Sequence, residues 1–399
     1  AAGRAELDLK RERLVVDEGE LSAGKVHMLV DGSITGYRSS PVFELHVKVP
    51  TVGCEEAIES LVRPVAPMLS GTRCRGTLAF RLDLNLDMAD MKSLKFEFEP
   101  TLRNIEIKSL GRYIDFEMLG YPFEHHARQV DGTLYTFITG PGSERWVPLD
   151  QISENMTKVV TTTEDGSFFT HNGFSIRQIR NAIVANLGRG RFVRGASTIS
   201  QQMVKNLYFV EREKTLSRKL QEAVITWEME RSIEKEQILE LYFNIIEFGP
   251  KIYGIKAAAN HYFNRTPKEL TLLQAIWLGS IIPGPRKRYQ SFIDGEVPES
   301  RRKLLCWIGR VMVKREKITE AELARLGECE VVFGGGHDGS ETPPEELPVD
   351  EALGYEGDPS LEGPPPPPLA QPQANQEKPT VKTNKAALPA PSVDAGDQP

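Results

Sequence analysis

The sequence predicts an α+β multidomain protein, in which an antiparallel β-rich domain precedes an all-α domain and a disordered tail. Three observations carry this prediction. Apolar and polar residues alternate with period two early in the chain, apolar residues recur at helical spacing further on, and the C-terminal end is rich in proline and acidic residues. We place the three parts at residues 1–145, 146–333 and 334–399.

The first part, 1–145, is predicted to be an antiparallel sheet of unknown role. The run Leu78–Met88 has an apolar residue at every second position, and Phe43–Val49 and Leu94–Phe98 repeat this pattern. Period-two alternation is typical of strands with one buried and one solvated face. Asp31-Gly32 is a turn signal between strands, and no helical periodicity is visible here.

Cysteine and histidine spacing does not predict a zinc site. No C-x-x-C spacing connects the four cysteines, Cys54, Cys74, Cys306 and Cys329. Cys54 and Cys74 can pair in an oxidising compartment, or they remain free buried thiols. His125-His126 is a candidate metal pair, but an exposed polar dipeptide is the simpler interpretation.

The middle part, 146–333, is predicted to be helical. Two apolar stripes with helical spacing consist of Leu216, Leu220, Ala223, Val224 and Trp227, and of Ile238, Leu241, Tyr242, Ile245 and Ile246. Thr266 with Glu269, and Thr319 with Glu322, are capping-box patterns that predict helix starts. Gly327 suits the end of the short helix that begins at Thr319.

Charge is distributed unevenly along the chain. The net charge is -7, but residues 334–399 carry 3 basic and 12 acidic residues, a balance of -9, and residues 164–290 carry 19 basic and 12 acidic residues, a balance of +7. Residues 166–210 contain no Asp or Glu. This window indicates either an anionic ligand or a solvated basic face. The tail, with its Pro364–Pro368 run, lacks enough large apolar residues to form a core.

A short acidic stretch, TTTEDGSFFTHNGFS at 161–175, contains the first candidate for catalysis. Phe168 and Phe169 can pack around Glu164, and apolar surroundings raise the pKa of a carboxyl towards that of a useful base. The alternative is that Glu164 is only a favourable charge at a helix N-terminus.

Two further segments contain candidate functional residues, and the first of them can donate hydrogen bonds to phosphate or sugar oxygens. Gly195–Asn206 is dense in hydroxyls and amides and includes Lys205, so it can donate several hydrogen bonds. The alternative is a polar helix start capped by Ser197 or Thr198. Arg218 and Glu222 are four residues apart, which indicates either a second active-site carboxylate or a helical ion pair worth about 0.3–0.5 kcal/mol.

These segments together resemble the peptidoglycan glycosyltransferase family (family 51), and within it the monofunctional transglycosylases. The resemblance covers about residues 145–290 in five ordered motifs. They are Glu164-Asp165 with Phe168, His171 and Gly173; Gly195–Asn206; Arg218-Lys219 with Glu222; Lys235, Ile238-Leu239-Glu240, Tyr242 and Asn244; and Gly254–Ala259 with Tyr262-Phe263. The chain departs from the family at Ser175, where Asp is usual, at Asn181, often basic, and at Phe243, usually leucine.

The resemblance implies an inverting glycosyltransferase with a lysozyme-like all-α fold and no transpeptidase domain. Such enzymes polymerise lipid II and release polyprenyl pyrophosphate. We expect Glu164 as the general base and Glu222 as a second catalytic carboxylate, which positions the donor directly or through a divalent cation, Mg²⁺ or Mn²⁺. No organic cofactor is expected. The expected substrate-binding residues are Asp165, Phe168, His171, Ser197, Thr198, Gln201, Gln202, Lys205, Asn206, Arg218, Lys219, Asn244 and Lys256.

The expected location is the periplasmic face of the inner membrane. The chain contains no apolar run long enough to span a bilayer, and we expect an anchor upstream of its first residue. Ile183–Val193 combines apolar residues with arginines and predicts either a mobile loop at an anionic membrane surface or a simple glycine loop. Expected partners are lipid II, the nascent glycan strand, the membrane surface and cell-wall synthesis proteins, without nucleic acid.

Two other functions are compatible with parts of this pattern. A lytic transglycosylase or muramidase would cleave glycan with one key glutamate, but it has no pyrophosphate to bind and needs no cationic window. An inactive envelope scaffold would bind partners through the β domain and the tail. The presence of both Glu164 and Glu222 favours the synthetic enzyme.

Overall fold

The structure is a computed structural model that describes residues 2–90, 93–111, 113–189, 191, 195–209 and 215–334. These residues all fall within one compact unit of the chain. The predicted disordered tail, 334–399, lies outside them apart from its first residue. The antiparallel sheet and the helical region are both confirmed, whereas the domain boundaries and the lysozyme-like arrangement stay predictions.

A six-stranded antiparallel sheet forms the N-terminal part, with the strands in sequence order from β1 to β6. The strands are β1 (Ala2–Asp8), β2 (Arg13–Ala23), β3 (Val26–Thr35), β4 (Val42–Gly53), β5 (Arg73–Asp87) and β6 (Lys95–Ser109). Cross-strand partners lie on the same face of a sheet. Leu45 is opposite Leu84 and Val47 is opposite Leu82, so the alternating apolar residues form one continuous apolar sheet face.

The turn predicted at Asp31-Gly32 was wrong, because both residues lie inside β3. They are opposite a bulge in β2, where Glu18 has a φ of 52° and donates its backbone N–H to Oδ1 of Asp31 at 2.9 Å. A Cβ on Gly32 would lie 2.6 Å from the backbone oxygen of Glu44. The Asp-Gly pair therefore stabilises a bulge and a close strand approach.

Helix α1 (Cys54–Val65) interrupts the predicted β region, so the expected absence of helical periodicity was wrong there. It packs on the sheet through Ala57, which joins Val26 and Val49 in a small buried cluster. A disulfide connects Cys54 at its start to Cys74 in β5, and a second joins Cys306 to Cys329. Of the two states considered for Cys54 and Cys74, the structure has the pair.

A hairpin of β7 (Phe123–Arg128) and β8 (Leu134–Thr139) follows the sheet. The interpretation of His125-His126 as an exposed dipeptide was wrong for His125, which is buried against Phe137 with ring centroids 5.1 Å apart. Burial lowers the pKa of His125 to about 4. Successive residues of a strand point to opposite faces, so the two histidines do not converge on one metal ion.

The described residues of the middle part, 146–333, are mostly helical. Its helices are α2 (Glu154–Thr163), α3 (Ile176–Gly188), α4 (Ile199–Tyr208), α5 (Leu216–Ser232), α6 (Lys235–Ile245), α7 (Ile255–Phe263), α8 (Leu272–Ile281), α9 (Pro285–Arg288), α10 (Gln290–Ile293), α11 (Glu299–Lys314) and α12 (Glu320–Ala324). A small ribbon of β9 (Glu247–Gly249) and β10 (Ile252–Tyr253) separates α6 from α7. Large side chains such as Tyr242, Tyr262 and Trp277 are buried in their common core.

The two predicted apolar stripes have different outcomes. The stripe of α6 is buried as expected. The buried face predicted for α5 was wrong, because four residues of its apolar stripe are only half-buried: Leu220, Ala223, Val224 and Trp227. The buried face of α5 instead consists of Gln221, Glu222, Ile225, Thr226 and Met229. On this face Gln221 accepts the N–H of Met68, and Glu222 pairs with Arg218 and Lys219.

Several helix ends follow the sequence closely. Thr319 and Glu322 form the predicted capping box of α12, and Gly327 follows that helix with a φ of 54°. The box at Thr266 begins only a single 3₁₀ turn, Pro267–Glu269. Residues 183–188 belong to α3, so the loop predicted there was wrong for that half; positions 190 and 192–194 lie outside the described residues.

The sheet part and the helical part are joined by specific contacts. The backbone N–H of Met68 donates to Oε1 of Gln221 in α5 at 2.8 Å, and the hydroxyl of Tyr208 in α4 donates to the backbone oxygen of Asp115 at 3.2 Å. Cys54, Ile58 and Leu69 belong to the same buried core as α5. The end of the sheet therefore adjoins the helix that contains Glu222.

Candidate active site

Glu164 lies at the C-terminal end of α2, where it is the residue that caps the helix. The alternative of a favourable charge at a helix N-terminus was therefore wrong, because a helix C-terminus disfavours a carboxylate. Burial raises the pKa of Glu164, while a hydrogen bond from Gln202 and the charges of Arg288 and Lys205 act in the opposite direction. The pKa of this carboxyl is therefore shifted in the direction that suits proton transfer near neutral pH.

Gln202 holds the Glu164 carboxylate in place. Its Nε2 donates to Oε2 of Glu164 at 3.0 Å, and its Oε1 accepts from the hydroxyl of Tyr242 at 3.2 Å. Both ends of the amide are fixed, because Tyr242 belongs to the buried face of α6. A side chain from α4 and one from α6 therefore orient a carboxyl at the end of α2.

Asp165 is fully buried and connects three segments of the site. Its Oδ2 accepts from Nε2 of His171 at 2.8 Å and from the backbone N–H of Ile199 at 3.2 Å, and its Oδ1 accepts from Nε2 of Gln178 at 2.8 Å. Nδ1 of His171 accepts the backbone N–H of Gly173 at 3.1 Å. These contacts show Asp165 and His171 as groups that organise the loop after Glu164.

Phe168 and Lys235 form a second support beneath this loop. Nζ of Lys235 lies 4.5 Å from the centre of the buried Phe168 ring and 2.7 Å from Oε2 of Glu230. Glu230 also accepts a hydrogen bond from the hydroxyl of Ser200 in α4. The Lys235 cation is attracted to the face of the Phe168 ring and to the Glu230 carboxylate, and these attractions offset the cost of burying the charges.

The start of α4 contains the predicted hydroxyl-rich segment. Thr198 is the N-cap, and it forms a capping box with Gln201. Of the two proposed caps, Thr198 is therefore the one observed. Ser197 instead accepts a hydrogen bond from Nζ of Lys219 at 3.1 Å. Lys205 and Asn206 follow on the same helix and are half-buried.

Glu222 is buried in α5 between two cations. One carboxylate oxygen pairs with Nη1 of Arg218, and the other lies 2.5 Å from Nζ of Lys219. The predicted i,i+4 pair is thus present, but it is less exposed than a typical helical pair. Glu222 is linked to Ser197 through Lys219, and Glu164 is linked to Gln202. Both carboxylates therefore connect to one segment, 197–202.

The residues around Glu222 do not fit a bound divalent cation. Mg²⁺ and Mn²⁺ take several oxygen ligands, but both oxygens of this carboxylate already bind cationic side chains. Within the described ranges, no group of three or more His, Cys, Asp or Glu residues is arranged to hold a metal ion. The expected Mg²⁺ or Mn²⁺ ion stays a prediction, and we assign it no step.

Asn244 and Lys256, both predicted to bind substrate, contact backbone groups. Oδ1 of Asn244 accepts the N–H of Val147 at 2.8 Å, and its Nδ2 donates to the oxygen of Val147 at 2.8 Å. Nζ of the exposed Lys256 donates to the backbone oxygen of Glu144 at 2.5 Å. The structure does not bring either side chain to Glu164 through any of these contacts.

Two charged residues of the site, Arg288 and Glu230, were not predicted from the sequence. Arg288 is the last residue of α9, and its charge stabilises the ionised form of Glu164. It lies in the run Arg286–Arg288, where the sequence alone does not indicate which cation faces the site. Glu230 is one of several acidic residues of α5, and only the tertiary contacts to Lys235 and Ser200 distinguish it.

Comparison with known proteins gives matches that centre on this helical part. Residues 131–308 match a family described as Transglycosylase. A protein of Acinetobacter baylyi is 45% identical over 150 residues, which are 38% of this chain and 66% of the relative. One of Ralstonia nicotianae is 44% identical over 149 residues, 36% of this chain and 63% of the relative. One of Acinetobacter baumannii is 38% identical over 183 residues, 44% of this chain and 80% of the relative.

All three relatives are named biosynthetic peptidoglycan transglycosylase. The chain spans just under two thirds of the length of the first two. Across the described ranges, every helix is either too short or too polar to cross a bilayer. The sheet of β1 to β6 lies outside the matched residues, whereas Glu164, Gln202 and Glu222 lie inside them.

Proposed function

Because this chain belongs to the family of biosynthetic peptidoglycan transglycosylases, we propose that its helical part polymerises lipid II into glycan strands and releases polyprenyl diphosphate. In this reaction the 4-hydroxyl of the acceptor N-acetylglucosamine attacks C1 of the donor sugar. The bond from C1 to the diphosphate oxygen breaks as the new glycosidic bond forms. The anomeric centre inverts, and the hydroxyl proton must leave.

Glu164 accepts that proton in the proposed mechanism. Its position at the C-terminal end of α2 supports this role, because burial raises its pKa and brings its basicity closer to neutral pH. Gln202 orients the carboxylate with a hydrogen bond of 3.0 Å. The proposal depends on one observation: the Glu164 carboxyl has a raised pKa, is oriented by Gln202 and is influenced by cationic side chains.

Negative charge develops on the departing diphosphate, and fixed cations stabilise it. The charges of Lys205 and Arg288 act to lower the pKa of Glu164, and we propose that the same two cations face the diphosphate. Arg218 and Lys219 form a second cationic group that Glu222 holds in place. We assign Glu222 the role of positioning these cations. Since diphosphate is a good leaving group, the mechanism needs no strong general acid.

The buried members of the predicted substrate set act as positioning residues in this proposal. Asp165, Thr198 and Gln201 are almost inaccessible to solvent and bind protein groups. Phe168 packs beneath the loop, and Asn244 fixes the backbone before α2. The more accessible Ser197, Gln202, Lys205, Asn206, Arg218, Lys219 and Lys256 remain candidates for direct substrate contact. We further propose that the enzyme acts in the cell envelope at a membrane surface, where its lipid substrate resides.

The test is polymerisation of fluorescently labelled lipid II by the wild type and by Glu164→Gln. We expect glycan strands from the wild type and a loss of about 100- to 10,000-fold in rate for the variant, which is the usual contribution of a general base. Glu154→Gln, an exposed glutamate on the same helix, is the control and should stay active. Equal rates in all three proteins would refute the assignment, and degradation of finished strands would favour a lytic enzyme.

A further inference from the structure

The apolar sheet face is much larger than the helix that packs on it. Antiparallel partners on this face in β4 and β5 are Phe43–Leu86, Leu45–Leu84, Val47–Leu82 and Val49–Phe80. The face continues to Leu7 in β1 and to Leu102 in β6. Helix α1 contacts β3, β4 and β5 and covers the end around Val49. Most of the remaining face is therefore open.

The exposed fractions of its side chains show that much of this face is not covered by other described residues. Leu7 is 57% exposed, Leu21 43%, Phe98 39% and Leu102 50%. In the middle of the face, Leu45, Val47, Leu82 and Leu84 are only half-buried. Contiguous exposed apolar surface of this kind marks an interaction site on a soluble protein.

The composition of the face indicates what covers it. The residues that the strand register places there, from Ala5 to Leu102, are aliphatic residues, methionine, phenylalanine, proline and glycine. Cores of protein interfaces are enriched in tyrosine, tryptophan and arginine and make about one hydrogen bond per 100–200 Å². A surface without a side-chain donor or acceptor suits an occupant that needs none, such as a hydrocarbon chain.

The edges of the sheet argue against insertion of the whole face into a bilayer. β1 and β6 are the outer strands, and their outward N–H and C=O groups have no strand partner among the described residues. Such groups are costly in hydrocarbon, which is why open sheets do not occur there. The geometry therefore favours single lipid chains bound on the sheet rather than a sheet embedded in lipid.

We propose that the apolar sheet face binds the polyprenyl chain of the lipid-linked substrate, an inference that rests on the proposed function. In this arrangement the sugars and the diphosphate occupy the helical site, where the cations are. The face then has to bind hydrocarbon only, in accord with its lack of charged side chains. A phospholipid would bring its own charged headgroup, for which the face offers no partner.

The sheet is connected to the site that would hold the headgroup. Met68, which follows α1, donates its N–H to Gln221, the residue next to Glu222. Helix α1 has Ala57 in the cluster on the sheet and Ile58 in the core that includes α5. Helix α1 thus links the sheet, where the polyprenyl chain would bind, to α5, the helix that contains Arg218 and Lys219.

Binding of a fluorescent polyprenyl phosphate without sugars to the full chain tests this proposal directly. We expect the double variant Phe98→Gln with Leu102→Gln to bind about tenfold more weakly, because both side chains lose apolar contact area. The control is Leu29→Gln with Ile138→Gln, which changes two residues of similar exposure, 41% and 50%, that lie off this face. Circular dichroism and thermal melting verify that both variants fold.

Each alternative occupant gives a different result. Equal binding of the probe by the face variant and the control overturns the proposal. If phosphatidylglycerol competes as strongly as unlabelled polyprenyl phosphate, the face does not prefer polyprenyl chains, and the proposed occupant is wrong. A dimer of the wild type that only the face variant dissociates would assign the face to a second copy and overturn the proposal as well.

Polymerisation assays separate this proposal from the proposed function. With a substrate whose chain is shortened to three isoprene units, the face variant should polymerise as fast as the control. With the full-length chain its KM should rise about fivefold while kcat is unchanged. If the wild type polymerises neither substrate, the proposed function is refuted. The direct binding experiment then still tests whether the apolar sheet face binds a polyprenyl chain.

Discussion

The side-chain amide of Gln202 joins the carboxylate of Glu164 to the hydroxyl of Tyr242, with hydrogen bonds of 3.0 and 3.2 Å. The donor Nε2 stabilises the ionised carboxylate, whereas burial of Glu164 and its place at a helix C-terminus favour the protonated form. The balance of these effects leaves the pKa of Glu164 raised. In the proposed mechanism, the protonation state of Glu164 therefore determines the acid side of the pH response.

The pH profile of activity should reflect this raised pKa. We expect the acid limb of kcat/KM to lie above pH 4.5, the ordinary pKa of a glutamate. In Gln202→Leu the acid limb should move to still higher pH, because the variant lacks the hydrogen bond that lowers the pKa of Glu164. Asn206→Leu, on the same helix, should leave the limb in place. A limb that does not move in Gln202→Leu would contradict this account.

Glu164 should also reduce stability at neutral pH. A carboxyl with a raised folded-state pKa binds more protons when folded, so the free energy of unfolding falls as pH rises from 4.5 through that pKa. Glu164→Gln should therefore melt at a higher temperature than the wild type at pH 7, and the difference should vanish below pH 4.5. Thermal melts at several pH values measure it, and a variant that is less stable at pH 7 would contradict the prediction.

Loss of Glu222 should destabilise the protein more than loss of either cation alone. In Glu222→Leu two cations near the interior lose their carboxylate, at a cost of about 3 kcal/mol in the free energy of unfolding. Lys219 is 41% exposed, and in Lys219→Met the loss should stay below about 1 kcal/mol because water screens this pair. Urea denaturation measures both. Similar losses in the two variants would show that Glu222 has no buried structural role.

Asp165→Asn should unfold the loop after Glu164 at a lower temperature. The amide nitrogen that replaces one carboxylate oxygen is a donor, and it faces either Nε2 of Gln178 or the two donors His171 and Ile199. Unsatisfied buried groups of this kind cost about 1–3 kcal/mol each. Asp150→Asn, at an exposed position, is the control. Differential scanning calorimetry gives the comparison, and equal melting temperatures would refute the role of Asp165 as an organising group.

Gln221→Leu should uncouple the sheet from α5. Removal of Oε1 leaves the N–H of Met68 without this acceptor, at a cost of about 1–3 kcal/mol. We expect faster hydrogen exchange at Met68 and a higher KM for the lipid substrate. Gln221→Glu retains an acceptor and should restore slow exchange. Unchanged exchange in Gln221→Leu would contradict the contact.

The fold was predictable wherever the apolar period matches the geometry of the element. The alternation of Leu78–Met88 predicts β5, although most of its apolar face is open, and the stripe of α6 predicts a helix whose apolar face is buried in the core. The orientation of α5 was not predictable from apolar residues, since its buried face includes the polar residues Gln221, Glu222 and Thr226. Gln221 accepts the N–H of Met68, which is distant in sequence, and no local pattern encodes that contact.

The candidate site shows the same division. Residue types and spacing predicted Glu164, Glu222 and the cationic segments as site residues, because the proposed chemistry requires those groups. The sequence did not reveal that Glu164 ends a helix rather than beginning one, nor that Arg288 approaches it. Both depend on tertiary packing, in which α2 lies against α8 and α11 and α9 lies against β9. The open face of the sheet was also unpredictable, since alternation indicates an apolar face but not what covers it.

The hairpin of β7 and β8 has a practical consequence for work with recombinant fragments. The family match begins at residue 131, between the two strands, so a fragment cut at that boundary would retain β8 and lose β7. Such a fragment would also lack Met68, the donor to Gln221. Inactivity of a truncated protein would then reflect a damaged scaffold, and limited proteolysis of the intact chain is the better guide to where it can be shortened.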